Sequence, residues 1–344
     1  MSTGVVRWEH PRSSKSQVAK CGKRLAQGST YSPEDLDILH NWRASHAYAL
    51  NIFVQGLNRK IKSLDLENVV VTQRLKIKST IIDKLSQGRA RDLSSMHDIA
   101  GCRVICPSLE KLRLIRSEFN KRRRVSHARI SGEKFNYLCS PKSSGYRGIH
   151  DVFSYESKAE GKAHWNGLKV EIQYRTQVQH AWATGVEVCD RIFKDRLKFG
   201  QGETVNALVF ELWSELLARQ AEGMRSCHPD LSDSELAVKI HELKAHGEII
   251  DAFKKLSRFR GKIGSGRNLL LLIGDDQRPR VQSFPSFPKA LAAAEEIERN
   301  GSPGAFAVAV RGRNTNELRS AFRNYFNDTR ELTKLVTDSL AKIA

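Results

Sequence analysis

Residues 170–183, VEIQYRTQVQHAWA, alternate for six positions and then stop alternating. Val170, Ile172 and Tyr174 fall on one side of an extended chain and Glu171, Gln173 and Arg175 on the other, because successive side chains of a strand point to opposite faces. A solvated strand face usually carries Lys, Thr or Ser. A carboxylate, an amide and a guanidinium in a row read as one wall of a site. The strand, set at 168–175, gives way to a helix from Val178 that carries His180 and Trp182. Upstream, PKSSGYRGIH (141–150) reads as a glycine-punctuated turn that feeds another strand, ending near Tyr155.

Further out, Met96–Cys106 (MHDIAGCRVIC) reads as an apolar strand leading to Pro107, with Asp98 at its start and Arg103 inside it. An arginine in a buried strand requires a partner or a ligand, since burying its charge alone is costly. Val69–Thr72 reads as a short strand and Thr80–Leu85 as the start of a helix. Arg74, Lys76, Lys78 and Lys84 crowd this segment. A helix capped by Ser108 runs to Phe119, followed by the basic run Lys121–Arg124, an ordered piece at Phe135–Cys139 and a polar loop at 156–167.

Asp98 and Glu171 each stand beside a strand among the cations Arg74, Lys76, Lys84, Arg103, Lys142, Arg147 and Arg175. Two carboxylates ringed by that many cations suit Mg²⁺ together with a polyphosphate. The carboxylates hold a hard cation and its waters, while guanidinium and ammonium groups neutralise phosphate oxygens. Tyr146, in the glycine turn, offers a ring to a base, and His150 follows at the same strand parity.

Four ordered motifs resemble the RelA/SpoT alarmone synthetase family: R-x-K-x₃-T-x₃-K at Arg74, Lys76, Thr80 and Lys84; MHDIAGCRVI at 96–105; P-K-x-x-G-Y-R-G-I-H at 141–150; and VEIQYRT at 170–176. The resemblance covers roughly 65–195. It implies an α/β (α+β) fold, a nucleotidyltransferase-like mixed sheet flanked by helices, and a GTP diphosphokinase-type enzyme that moves pyrophosphate from ATP to the 3′-hydroxyl of GDP or GTP. By the same resemblance Asp98 and Glu171 are catalytic and hold Mg²⁺, and Glu171 helps deprotonate the attacking hydroxyl. Arg74 and Arg103 would clamp the adenine, and Lys76 and Lys84 would bind the ATP phosphates. Tyr146 would stack on the acceptor base, Lys142, His150 and Arg175 would lie near acceptor phosphates, and Gln173 would hydrogen-bond in the acceptor pocket. The chain departs from the family pattern after this motif: HAWATGVEVCDRI lacks the usual downstream histidine and carries Glu187 nearby. With about 65 residues ahead of the motifs, the expectation is synthesis without a hydrolase domain.

The chain has 344 residues and a formal net charge of +19, with a mean hydropathy of −0.46. The charge favours polyanionic partners, so an RNA contact, and within the family transfer to the 3′ end of tRNA, stands beside free guanosine nucleotide as acceptor. A catalytically weak nucleotide- or RNA-binding regulator is the reading from another class. No apolar run is long enough to span a bilayer and no signal core opens the chain, which gives a cytoplasmic expectation with no membrane partner. The six cysteines are scattered, against a zinc or disulfide framework.

Around the motifs, residues 1–30 read as a basic flexible arm, and 31–200 as the synthetase-like domain. A helix entering at Ser32-Pro33-Glu34-Asp35 is broken or bent once near Ser45-His46 and ends near Lys62. Residues 201–258 read as wholly helical, with a second helix capped by Ser232. Beyond the linker at 258–268, residues 269–344 read as a small α+β module with strands at Leu269–Ile273, Arg280–Phe284 and Ala305–Arg311. Its helices are set at Lys289–Arg299, Thr315–Tyr325 and 329–343. Such a module suits regulation, homo-oligomerisation or a protein partner.

Overall fold

The computed structural model describes residues 8–28, 30–121, 127–193, 204–257, 268–273, 279–300, 306–311 and 328–343. The Thr315–Tyr325 helix, most of the Lys121–Arg124 run and most of the 258–268 linker lie outside them. Five strands form one mixed sheet: β1 (Val70–Leu75), β2 (Ala100–Cys106), β3 (Ala128–Arg129), β4 (Ile149–Ser154) and β5 (Lys169–Thr176), in spatial order β1–β2–β5–β4–β3. β2 and β5 run parallel and the other neighbours antiparallel. Val170, Ile172 and Tyr174 are fully buried, Val170 and Ile172 each contributing roughly 1.5–3 kcal/mol of burial. They face α2 (Pro33–Ser63) and α4 (Leu109–Asn120), whose Phe53, Leu57, Leu112, Ile115 and Phe119 complete this core.

α2 begins where the sequence places it, with the Ser32 side chain accepting from the Asp35 amide and Pro33 in the first turn. No break occurs at Ser45-His46, and α2 runs as one helix of 31 residues. Both polar side chains turn back onto the helix, Ser45 Oγ donating to the Asn41 carbonyl at 2.7 Å and His46 Nδ1 meeting the Trp42 carbonyl at 2.7 Å. Nor are residues 8–28 a flexible arm. α1 (Lys15–Gln27) starts from a capping box at Ser14 and buries Val18, Cys21, Gly22 and Leu25. Ahead of it the Trp165 indole donates to the Glu9 carbonyl at 2.7 Å, and Asn41 exchanges hydrogen bonds with Arg12 and His10. Three apolar residues spaced for one helix face were hidden in a lysine-rich composition.

The other face of the sheet is covered by α5 (Gln177–Phe193), which leaves β5 without a loop, and by α6 (Val205–Glu222). Within 204–257 the second helix starts at the Ser232 cap as expected: α6 ends on Gly223 in the left-handed conformation, a non-helical turn follows, and then come α7 (Asp233–Glu242) and α8 (Lys244–Ser257). A buried carboxylate organises the turn, Glu215 taking hydrogen bonds from Arg219 Nε and from the Ser226 and His228 amides.

In the C-terminal part, β6 (Asn268–Ile273), β7 (Pro279–Phe284) and β8 (Phe306–Arg311) form an antiparallel sheet ordered β7–β6–β8 with α9 (Phe287–Asn300) on it. Leu270, Phe287, Ala290 and Ala294 join the core of the first sheet. The last helix, α10 (Asp328–Leu340), packs instead on α5, α6 and α8, burying Leu332, Val336 and Leu340 beside Phe210 and Phe253. Among the described residues no helix is long and apolar enough to cross a membrane.

Candidate active site

Strand register brings the polar side chains into rows across the sheet. Arg74 pairs with Gly101, and Gly101 with Glu171; one step along, Arg103 pairs with Gln173, and Gln173 with His150. Gly101 leaves the space between Arg74 and Glu171 open, because a Cβ there would meet nothing nearer than the Glu171 carbonyl at 3.8 Å. The rows floor a cavity of about 990 Å³ whose far wall is built by α5 and α6. Arg74, Lys76, Lys84, Asp98, Arg103, Lys142, Tyr146, His150, Glu171, Gln173 and Arg175 all line it. Arg147, counted among the surrounding cations in the sequence, does not. It points behind the wall and is buried in an ion pair with Glu222.

At one end, Asp98 receives Lys76 Nζ at 2.9 Å and Lys84 Nζ at 3.0 Å. Burial and the nearby Glu171 charge would raise its carboxyl, but the two ammonium groups hold it below its usual range. At the other end, polar groups close a circuit. His150 bridges Glu171 (Nδ1 to Oε1, 2.9 Å) and the Tyr146 hydroxyl (Nε2, 2.5 Å). Gln173 Nε2 donates to Glu171 Oε2 at 2.6 Å, and Arg175 Nη2 donates to Gln173 Oε1 at 3.1 Å and to Tyr146 Oη at 3.0 Å.

The circuit sets the charges. Burial would lower the His150 imidazole, but Tyr146 and Glu171 overcome it and hold it up at about 9. Burial would raise the Tyr146 phenol, but Arg175 and His150 bring it down to about 8. Burial would raise the Glu171 carboxyl, and the His150 charge and Gln173 hydrogen bond hold it far below the carboxylate range instead. Glu171 is therefore an anion facing an imidazolium at neutral pH. Arg103 is the opposite case: burial, then repulsion from Arg74 and Arg175, lowers it to about 10. A guanidinium so placed gains from any anion or electron-rich ring that enters.

The donor set fits a divalent cation. Asp98 and Glu171 are two partly buried carboxylates in one cavity, and every hydrogen bond they receive from side chains comes from a cation or an amide. Among the described residues no group of three or more His, Cys, Asp and Glu side chains gathers, so a bound ion would complete its shell with water and phosphate oxygens, as Mg²⁺ commonly does.

Several cavity residues carried no signal in the sequence. Phe135, Tyr137 and Phe210 line the cavity, and Tyr137 lies beside Tyr146 with ring centroids 5.5 Å apart. Lys142 Nζ stands over the Tyr137 ring at 4.6 Å. Glu187, unassigned in the sequence, lies 3.9 Å from Arg103 Nη2 across the cavity. Trp182 and Glu187 could be found from helical spacing once α5 is set behind β5. The α6 residues could not, because they belong to an ordinary amphipathic pattern well outside the motifs.

Residues 73–194 match the model of the region found in RelA / SpoT proteins. Among solved structures the chain is similar to small alarmone synthetase 1 from Bacillus subtilis bound to its product pppGpp, at 23% identity and a TM-score of 0.39 over 50% of this chain and 84% of that one. It is similar to small alarmone synthetase 2 from the same organism at 19% identity and 0.40, over 50% and 88%. A GTP pyrophosphokinase family protein from Streptococcus pneumoniae matches at 19% identity and 0.41, over 65% and 96%. No curated protein matches the chain.

Proposed function

We propose, from the premise that this chain belongs to the RelA/SpoT family through residues 73–194, that it is a pyrophosphokinase: it transfers the β,γ-pyrophosphoryl group of ATP to the ribose 3′-hydroxyl of a guanosine nucleotide and releases AMP. The observation that carries this reading is the meeting of Asp98 and Glu171, from separate motifs, in one cavity with Arg74, Lys76, Lys84, Arg103, Lys142 and Arg175. Phosphoryl-type transfer needs alignment and charge neutralisation more than covalent help from the protein.

Asp98 and Glu171 would hold Mg²⁺, which supplies charge neutralisation at the transferred phosphates. Arg74 and Arg103 bracket the donor base, and Lys76 and Lys84 turn from Asp98 to the donor phosphates. Tyr146 and Tyr137 offer rings to the acceptor base, with Lys142, His150 and Arg175 toward its phosphates. Glu171 would receive the hydrogen bond of the 3′-hydroxyl, orient its lone pair toward phosphorus and take up its proton as the new P–O bond forms and the bond to AMP breaks.

A second acceptor, the 3′ end of tRNA, is favoured by the net charge of +19. Incubation with β,γ-labelled ATP and GDP, GTP or deacylated tRNA separates the two. Label on GDP or GTP is the expected result, label on tRNA alone would move the assignment to RNA, and absence of label on all three would sink the pyrophosphokinase reading in favour of a nucleotide-binding regulator.

A further inference from the structure

Behind the cavity wall lies a second polar cluster, which the chemistry above does not use. Along the tyrosine turn and along β5, side chains alternate between the cavity and its back. Tyr146 and Arg175 face the cavity, where Arg175 donates to the Tyr146 hydroxyl from Nε at 3.2 Å and Nη2 at 3.0 Å. Their immediate neighbours, Arg147 and Thr176, face away, and both bind Glu222 at the end of α6. Arg147 Nη1 pairs with Glu222 Oε2, Thr176 Oγ1 donates to Glu222 Oε1 at 2.5 Å, and Gln179 Nε2 donates to the same oxygen at 2.9 Å. The Arg147 and Glu222 side chains are 1% and 3% exposed. About two turns up α6, Ser214 Oγ donates to the Gly145 carbonyl at 2.5 Å and accepts from Arg147 Nε at 3.1 Å. Gly145 sits at φ +80, and a Cβ there would come within 2.8 Å of the Ser214 side chain. The turn is thus pressed onto α6 with no room to shift.

We propose that Glu222 is a positioning residue for the acceptor subsite: by holding Arg147 and Thr176 together behind the wall, it sets the spacing of Tyr146 and Arg175 in front of it. The inference rests on the pyrophosphokinase reading and extends it to α6, outside the segment that matches the family. A buried carboxylate that collects an arginine, a hydroxyl and an amide from two separate stretches fixes their separation more tightly than apolar packing, because hydrogen bonds are directional and this cluster is shut off from bulk water. Of the donor subsite, Arg74, Lys76 and Lys84 lie outside this cluster, and Arg103 is linked to Arg175 only through Gln173 Oε1, which accepts from Arg103 Nε at 3.3 Å and from Arg175 Nη2 at 3.1 Å. Breaking the clasp should loosen the acceptor side first, since Tyr146 and Arg175 are the direct neighbours of its two donors.

The test is the split of kinetic constants between the two substrates. Glu222→Gln leaves Arg147 buried without a counter-charge and should lower the melting temperature as well as acceptor affinity. The decisive variant is therefore the double change Arg147→Met with Glu222→Leu, which replaces a buried ion pair by apolar volume and can keep or regain stability. With the acceptor that the wild type labels, the double variant should show an acceptor KM raised about tenfold and an ATP KM within about twofold of wild type. A purely structural cluster would not separate the two constants. An acceptor KM equal to wild type in the folded double variant overturns the inference. Should that variant not fold, Thr176→Val removes one donor only: a severalfold rise in acceptor KM with unchanged ATP KM supports the clasp, and no rise overturns it. A wild-type chain that labels no acceptor overturns the parent reading, and this inference with it, whereas an active wild type with unshifted variants overturns this inference alone.

Discussion

Glu171 shows how a single residue is read twice. In the sequence it is one polar position in an alternating strand; in the fold it is an anion fixed between His150 and Gln173 in the same cavity as Asp98. Replacing it by Gln removes the charge and keeps the shape. The expected result is a loss of transfer of about 10³-fold or more, with circular dichroism and melting temperature near those of wild type; surviving activity would remove Glu171 from the site. His46 gives a prediction at the same scale. It is fully packed in α2, and burial, with a smaller push from Lys169, lowers it from 6.5 to about 4. The unfolded chain therefore binds the proton that the folded chain refuses. Stability is complete at neutral pH and falls as pH drops from about 6.5 toward 4, by an amount on the order of 3 kcal/mol. Urea unfolding at a series of pH values should show that limb, and His46→Gln should flatten it.

Elements were legible where the physical signal is local. The Ser32-Pro33 entry to α2, the Ser108 cap of α4, the Ser232 cap of α7 and the alternation of β5 each depend on neighbours in the chain. α1 was not legible, because its apolar face is only as wide as Val18, Cys21 and Leu25 and its meaning depends on what it covers. Gly22 shows the contact: a Cβ there would lie 2.5 Å from the Leu93 amide nitrogen. That clash is with backbone, in the 3₁₀ turn Leu93–Ser95 that precedes Met96-His97-Asp98. Gly22→Ala should cost about 1–3 kcal/mol by overpacking, measurable as a lowered denaturant midpoint. An unchanged midpoint would mean that α1 moves away at little cost.

Across the whole molecule, the division of the chain at 258–268 does not match where its parts pack. α9 serves the first core and α10 the second, so the C-terminal segments are built into both. Gly185 in α5 marks how closely α10 sits: a Cβ there would lie 2.2 Å from Leu332 Cδ2 and 3.2 Å from Phe210 Cε1. Leu332 is fully buried, and Leu332→Ala should cost about 2–5 kcal/mol. A chain ending at Ser257 should expose the α5–α6–α8 face, bind a hydrophobic dye and melt early. Normal melting of that shortened chain would make α10 dispensable to the core.

The eleven residues picked out by motif and alternation line one cavity, because strand parity fixes which side chains share a face and each motif lies on or beside a strand. Their charges could be counted in advance, but not their pairings. Arg147 left the site for Glu222 because its parity sends it behind the wall, where α6 supplies a carboxylate from 75 positions further along the chain. Tyr146 and His150 acquired their charge states from a circuit that closes only when β4, β5 and the glycine turn are side by side. Alternation, caps and charge are properties of neighbours in sequence. Which anion meets which cation, and which helix walls the cavity, are set by contacts between segments far apart in the chain, and these exist only once the apolar faces have been buried.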